Sequence, residues 1–359
     1  MTGQARAQSS ATEPPSCLME VRDLRVHFPV LRGTFFKRPV GHVKAVDGVG
    51  FSIRRGEVLG LVGESGCGKT TLARAVLKLV EPTGGQILFE GNDIWAQDRA
   101  AQQAYRRRVQ AVFQDPYSSL NPRMKVREIV GEPFRIHMPS MTSADIAAKV
   151  RRLLDLCGLP ARIAERYPHE MSGGQRQRIG IARALALNAD MIVCDEAVSA
   201  LDVSIQAQII NLLMELKDEF GLTYLFIGHD LSVVKHLCDR VAVMYLGNMV
   251  ELTDSETLFD DPLHPYTAAL LSAVPVPDPV SEAARPHVVV TGEVPSPLNP
   301  PSGCVFHPRC PRVSEMCGQD RPALIEERPG HHAACIHIDP PTPPHAPGHG
   351  EVQGREAPV

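Results

Sequence analysis

The first elements show in the alternation of apolar and polar side chains. From Leu18 to Phe28 the residues Leu18, Val21, Leu24, Val26 and Phe28 recur loosely against Glu20 and Arg22, the pattern of an edge strand, and Val49 to Ile53 reads as a second strand. Pro29 to His42 between them is irregular. Val58-Leu59-Gly60-Leu61-Val62 is apolar throughout, as in a buried strand, and Thr71 to Leu77 has the spacing of a helix. Gly84-Gly85 to Gly91 predicts a hairpin strand, Ala100 to Arg108 a helix with a basic end, and Val109 to Phe113 another strand. From Val126 to Leu187 the period is mostly helical, with Ile146, Val150, Leu153, Leu154 and Leu156 in register and a break at Gly158-Leu159-Pro160. Strands return at Met191 to Cys194 and at Thr223 to Ile227, on either side of an amphipathic helix that reaches Phe220. Apolar strands alternating with helices call for an α/β fold, here with a helical insertion.

Between the strand ending at Val62 and the helix starting at Thr71 lies Gly63-Glu64-Ser65-Gly66-Cys67-Gly68-Lys69-Thr70, which fits G-x-x-x-x-G-K-[ST] at every fixed position. Strand, glycine turn and helix in that order make it a P-loop. Glycines at 63, 66 and 68 permit positive φ and leave the backbone bare, so successive N–H groups turn toward phosphate oxygens, reinforced by the positive end of the helix. Lys69 is expected to reach the β- and γ-phosphates, and the Thr70 hydroxyl to help hold Mg²⁺. Met191-Ile192-Val193-Cys194-Asp195-Glu196 is an apolar strand ending in two carboxylates, placed where Mg²⁺ must be held. Asp195 is expected to hold the ion and Glu196 to polarise a water in line with the γ-phosphate. His229 ends the next strand and is the third polar group at that sheet edge, expected to bond the γ-phosphate. An aromatic upstream of the P-loop would stack on adenine; Phe35 and Phe36 are the candidates, with an exposed loop aromatic as the alternative.

At 359 residues, 43% hydrophobic and 22% charged, the chain has room for about two domains and an ordinary core. A formal net charge of −4 gives no basic excess and argues against nucleic acid as a partner. No apolar run approaches the roughly 20 residues of a membrane-spanning helix, and Met1 to Ser16 is polar, unlike a secretory signal. A cytoplasmic protein is expected.

Taken in order, these segments resemble the ATP-binding subunit of an ABC transporter over about Leu18 to Leu258. Beyond the P-loop, the resemblance places Gln114 in the Q-loop, Ser172-Gly173-Gly174-Gln175 in the signature motif and Asp202 in the D-loop, with Glu196 as the base after the second strand motif and His229 as the switch histidine. Met171 stands where leucine is usual, and Ala197-Val198 where Pro-Thr is commoner. The resemblance implies a P-loop NTPase (RecA-like) core sheet, a helical subdomain at about 115–187, an antiparallel β subdomain and a small loop-rich C-terminal extension. It implies ATP and Mg²⁺ as ligands, with Gly63 through Thr71, Gln114, Ser172 to Gln175, Asp195 and Asp202 around the nucleotide, and Thr70, Gln114 and Asp195 near the ion. Two such domains face head to tail, each ATP lying between one P-loop and the other signature motif, whose Ser172 opens a helix aimed at the γ-phosphate.

The remainder resembles a narrower set, the ATPase subunits of oligopeptide and dipeptide importers, through Leu263-His264-Pro265-Tyr266-Thr267, Gly292-Glu293-Val294-Pro295-Ser296-Pro297 and Gly303-Cys304-Val305-Phe306-His307-Pro308-Arg309-Cys310-Pro311. Such subunits pair with a second ATPase, two transmembrane permeases and an extracytoplasmic solute-binding protein, at the cytoplasmic face of the membrane. Nickel and glutathione importers share the same tail. A soluble ABC-type ATPase working on ribosomes or DNA would carry two nucleotide domains or a long coiled coil, and the chain shows neither. The expected division is 1–17 as a disordered terminus, 18–258 as nucleotide-binding domain, 259–338 as C-terminal domain and 339–359 as a disordered tail rich in Pro, Gly and His.

Of nine cysteines, Cys304, Cys310, Cys317 and Cys335 crowd into that extension. Four thiols closing proline-rich loops suit a tetrahedral Zn²⁺ or an iron–sulfur cluster. The spacing C-x5-C-x6-C-x17-C lacks paired C-x2-C knuckles and leans toward [4Fe-4S], a cofactor the importer resemblance allows, with Zn²⁺ and unligated thiols as the alternatives. Cys67, Cys157, Cys194 and Cys238 fall where packing is the expected role.

Overall fold

The structure, a computed structural model, describes residues 16–32, 38–115, 117, 119–199, 201–274 and 290–338. Phe35, Phe36, the first fifteen residues and the tail from Asp339 lie outside them. β1 (Cys17–Arg32) and β2 (Arg38–Arg54) pair antiparallel. β3 (Val58–Val62) leads through the glycine turn into α1 (Lys69–Val76), and β4 (Gly84–Phe89) and β5 (Asn92–Asp93) return to complete a sheet of order β2-β1-β4-β5. β1 is thus an interior strand, not the predicted edge. Alternation reports which face of a strand is buried, and carries no information on which edges are paired. Pro29 to His42 is not irregular where it is described: Pro29 pairs with His42 and Val30 with Gly41, the alternation being broken by register shifts.

α2 (Arg99–Arg108) and β6 (Val109–Val112) precede three helices, α3 (Val126–His137), α4 (Ser143–Leu156) and α5 (Gly173–Ala184). Then come β7 (Met191–Asp195), α6 (Val203–Phe220), β8 (Thr223–Ile227), α7 (Leu231–Leu237), β9 (Arg240–Tyr245), β10 (Asn248–Asp254), α8 (Ser255–Asp260) and α9 (Pro265–Ser272). β11 (Ile325–Arg328) and β12 (His331–Ala333) come from the extension. The second sheet runs β11-β12-β10-β9-β3-β8-β7-β6, with β9, β3, β8, β7 and β6 parallel. β3, β7 and β8 are buried at every residue, which is why they read as unbroken apolar runs. One core joins α3, α4 and α5 to this sheet, and a second fills the space between the sheets around α1. Met171, Ala197 and Val198, the departures from the family pattern, are buried in the first core.

Candidate functional site

β3 is an interior strand of the parallel part of the sheet, between β9 and β8, so the turn after it opens at the carboxyl edge with neighbours on both sides. Two of its glycines are fixed by close approach. A Cβ on Gly63 (φ 147) would stand 2.1 Å from the Met244 carbonyl oxygen, and one on Gly68 (φ 111) 2.0 Å from that of Ala45. Gly68 then caps α1 in the left-handed conformation. Lys69 is buried, and its Nζ donates to the carbonyls of Gly63 (2.7 Å) and Glu64 (3.0 Å), so the ammonium is held across the mouth of the loop.

Beside it, Thr70 Oγ1 donates to Asp195 Oδ1 at 3.3 Å, joining the first turn of α1 to the end of β7. Burial pushes the Asp195 carboxyl up from its ordinary value, against the Thr70 hydrogen bond. A hydroxyl and a destabilised carboxylate face to face are oxygen donors of the kind Mg²⁺ takes. Among the described residues no group of three or more His, Cys, Asp or Glu stands ready to hold a metal ion.

Glu196, one residue past β7, has φ 48, a conformation that costs roughly 1–3 kcal/mol outside glycine. Its N–H is tied to the Ile227 carbonyl of β8 at 3.0 Å, and the turn swings its carboxylate toward two partners. Gln114 Nε2 donates to Glu196 Oε2 at 2.7 Å, and His229 Nδ1 lies 3.7 Å from the same oxygen. Glu196 and His229 line a cleft of about 50 Å³. Gln114, expected near the ion, thus bonds to Glu196. The bond gathers residues from three strand ends at one carboxylate. A larger cavity, about 660 Å³, lies between the first sheet and the extension and is bordered by none of the expected nucleotide residues.

Ser172 opens α5 through a capping box: Gln175 N–H donates to Ser172 Oγ at 3.3 Å, and Ser172 N–H to Gln175 Oε1 at 3.2 Å. A Cβ on Gly174 would meet Ile205 at 2.5 Å, so α5 and α6 pack without room for a side chain there. Asp202 caps α6 without a side-chain bond. Ser172 is exposed, a helix start presented outward.

Three groups near the nucleotide loop were missed from sequence. Phe28 on β1, whose side chain is exposed, stands opposite Val43 in the strand register, two residues from the Ala45 carbonyl that abuts Gly68; its place inside the alternating strand hid it. Tyr266 of α9 accepts the Glu64 N–H at 2.8 Å, and Arg309 of the extension reaches the Glu64 carboxylate. The runs containing Tyr266 and Arg309 were visible, but not their destination.

Cys304, Cys310, Cys317 and Cys335 line one cavity together with His307 and His337. All four are free thiols, and burial pushes Cys304, Cys310 and Cys335 up. The donor set suits a thiolate-bound group. Among the described residues no three of these side chains are arranged to hold a metal ion, so the expectation of a [4Fe-4S] or Zn²⁺ site has no support here. Cys67, Cys157, Cys194 and Cys238 are buried.

A family profile described as ABC transporter matches residues 46–199, and one described as Oligopeptide/dipeptide transporter, C-terminal region, matches residues 250–317. The chain is 56% identical to the oligopeptide transport ATP-binding protein AppF of Bacillus subtilis over 89% of this chain and 96% of that protein. It is 49% identical to the oligopeptide transport ATP-binding protein OppF of Salmonella typhimurium, over 92% and 99%. Among solved structures, the dimeric post-hydrolysis state of the ATP-binding cassette MJ0796 with ADP and Pi superposes with a TM-score of 0.58 at 26% identity, covering 66% of this chain and 99% of that one. CbiO1 of Clostridium perfringens, part of the ABC transporter complex cbiONQ, gives 0.59 at 26% identity, covering 68% and 91%.

Proposed function

The chain belongs to the ABC transporter family, among its oligopeptide transport ATP-binding proteins, and we propose that it hydrolyses ATP to drive peptide uptake through permeases it does not contain. The observation that carries the chemistry is the meeting of Gln114, Glu196 and His229 at one carboxylate oxygen, on the sheet edge that also bears the Thr70–Asp195 pair. Lys69 and the loop N–H groups bind the β- and γ-phosphates. Thr70 and Asp195 would hold Mg²⁺, which when bound would neutralise charge on the phosphate oxygens. Glu196 takes the proton of the attacking water. His229, beside it, donates toward the γ-phosphate, and Gln114 links Glu196 to the helices beyond β6. Phe35 and Phe36 stay our candidates for adenine stacking, with the exposed Phe28 of β1 as a third.

Ser172 and the glycines after it serve a second cassette, so the working unit is a pair of ATPases closed around two nucleotides. This reading is supported by the outward-facing capping box and by the dimeric form of the related cassette. Two permeases and an extracytoplasmic peptide-binding protein complete the proposed assembly, with this subunit held peripherally at the cytoplasmic face. Among the described residues no helix is long and apolar enough to cross a membrane. Glu196→Gln tests the mechanism. We expect kcat to fall roughly 10²- to 10⁴-fold while Mg-ATP still binds and a nucleotide-dependent dimer accumulates; near-normal turnover would remove Glu196 from the role.

A second reading concerns the four thiols, favoured by their convergence on one cavity. We propose that they ligate a [4Fe-4S] cluster, with Zn²⁺ as the alternative. Anaerobic purification followed by iron, sulfide and zinc analysis decides between cluster, zinc and plain packing.

A further inference from the structure

Glu64 is the second residue of the phosphate loop, and an acidic side chain there opposes the purpose of the loop. A carboxylate beside a polyanionic triphosphate repels it unless something neutralises the charge and turns it aside. In this molecule a cation is present, 245 residues further along the chain. Arg309 Nη1 stands 3.0 and 3.2 Å from the two Glu64 carboxylate oxygens and 3.2 Å from the Tyr245 hydroxyl. Its side chain is only 9% exposed, and Nε is buried with no hydrogen-bond partner among the described residues. Burying a guanidinium with one donor unsatisfied is unfavourable, so the ion pair, and not general packing, accounts for its position.

The contact is braced from behind. Arg309 lies in the short loop between Cys304 and Cys310, whose Phe306 is completely buried. The Phe306 ring packs against Tyr245 of β9 (5.2 Å between centroids) and Tyr266 of α9 (5.4 Å), and those two tyrosines pack on each other at 4.7 Å. Tyr266 also takes the backbone N–H of Glu64. The second loop residue is therefore gripped twice, through its side chain by the extension and through its main chain by α9.

We infer that Arg309 is a positioning residue for the phosphate loop, acting through Glu64, so that the loop-rich extension is part of the support of the ATP site. The inference rests on the reading of this loop as an ATP site. The test uses the full-length chain, with Mg-ATP affinity measured by a fluorescent ATP analogue and hydrolysis by phosphate release. Arg309→Ala should weaken nucleotide affinity and raise KM roughly 5- to 20-fold, with kcat held within about twofold, because the residue touches neither water nor γ-phosphate. Arg309→Lys should recover most of the affinity. In a Glu64→Gln background, Arg309→Ala should add less than about a twofold further change, since the charge to be neutralised is gone. Unchanged KM in Arg309→Ala, an equal loss in the Glu64→Gln background, or a fall in kcat with KM intact would each overturn the inference. Should Arg309→Ala fail to fold, Arg309→Gln, which removes the charge and keeps most of the volume, carries the same test when compared in the two backgrounds. If the unaltered chain binds no Mg-ATP, the reading of the site itself fails, whereas normal binding in it together with normal binding in Arg309→Ala defeats only the inference.

Discussion

Two glycines in one loop should respond unequally to a methyl group. Gly63→Ala drives a Cβ into the Met244 carbonyl from a φ of 147, whereas Gly66→Ala, at φ 80, meets nothing within 4 Å. We expect the first to lose roughly 2–4 kcal/mol of stability and the second about 1 kcal/mol, as read from urea midpoints. Much of the residue-level site was legible because its chemistry is local: eight consecutive positions specify the phosphate loop, and Asp195-Glu196 end an unmistakable strand. What could not be read were partners set by long-range packing. Arg309 looked like a basic residue between cysteines, and only the folded chain brings it to Glu64. For the four thiols, spacing along the chain says which side chains could meet but not how they are oriented toward a common ion.

At the level of elements, the two sheets are joined by charge as well as by core. Glu90, just past β4, is paired with Arg108 at the end of α2 and with Arg55, and both arginines also pair with Asp190 before β7. The Arg108 guanidinium, followed by Arg55, holds the Glu90 carboxyl down to about 2. Its folded value lies below its unfolded one, so the stabilisation is complete above the unfolded value near 4.5 and disappears as pH falls through about 2. With the Glu90 side chain 38% exposed, screening leaves about 1 kcal/mol. Glu90→Gln should therefore be less stable than the unaltered chain by about that amount at pH 7, the gap narrowing below pH 4.5 and closing near pH 2, as measured by denaturant titration across pH. The order of elements was legible from periodicity. The interior place of β1 was not, since the same alternation serves edge and interior strands.

On the scale of the whole molecule, the nucleotide loop is framed by three parts of the chain: β2 behind Gly68, β9 behind Gly63, and α9 with the extension beside Glu64. A chain ending before residue 290 should keep the glycine loop yet bind Mg-ATP more weakly than Arg309→Ala does, since it loses Phe306 together with the arginine; equal affinity in the two would show that the arginine alone matters. The same extension supplies β12, which pairs with β10 through Glu251 and Ala333, while buried His331 bonds the buried Glu251 carboxylate at 2.7 Å across 80 residues of sequence. During synthesis β10 therefore leaves the ribosome well before its neighbour exists. For that interval its outer rim is a row of unsatisfied amides beside an acid held only by the N–H groups of Leu263 and His264, a surface on which another nascent chain can settle. Slow translation across the intervening stretch should raise the yield of misassembled protein, and chaperone dependence should fall once the last strand has been made.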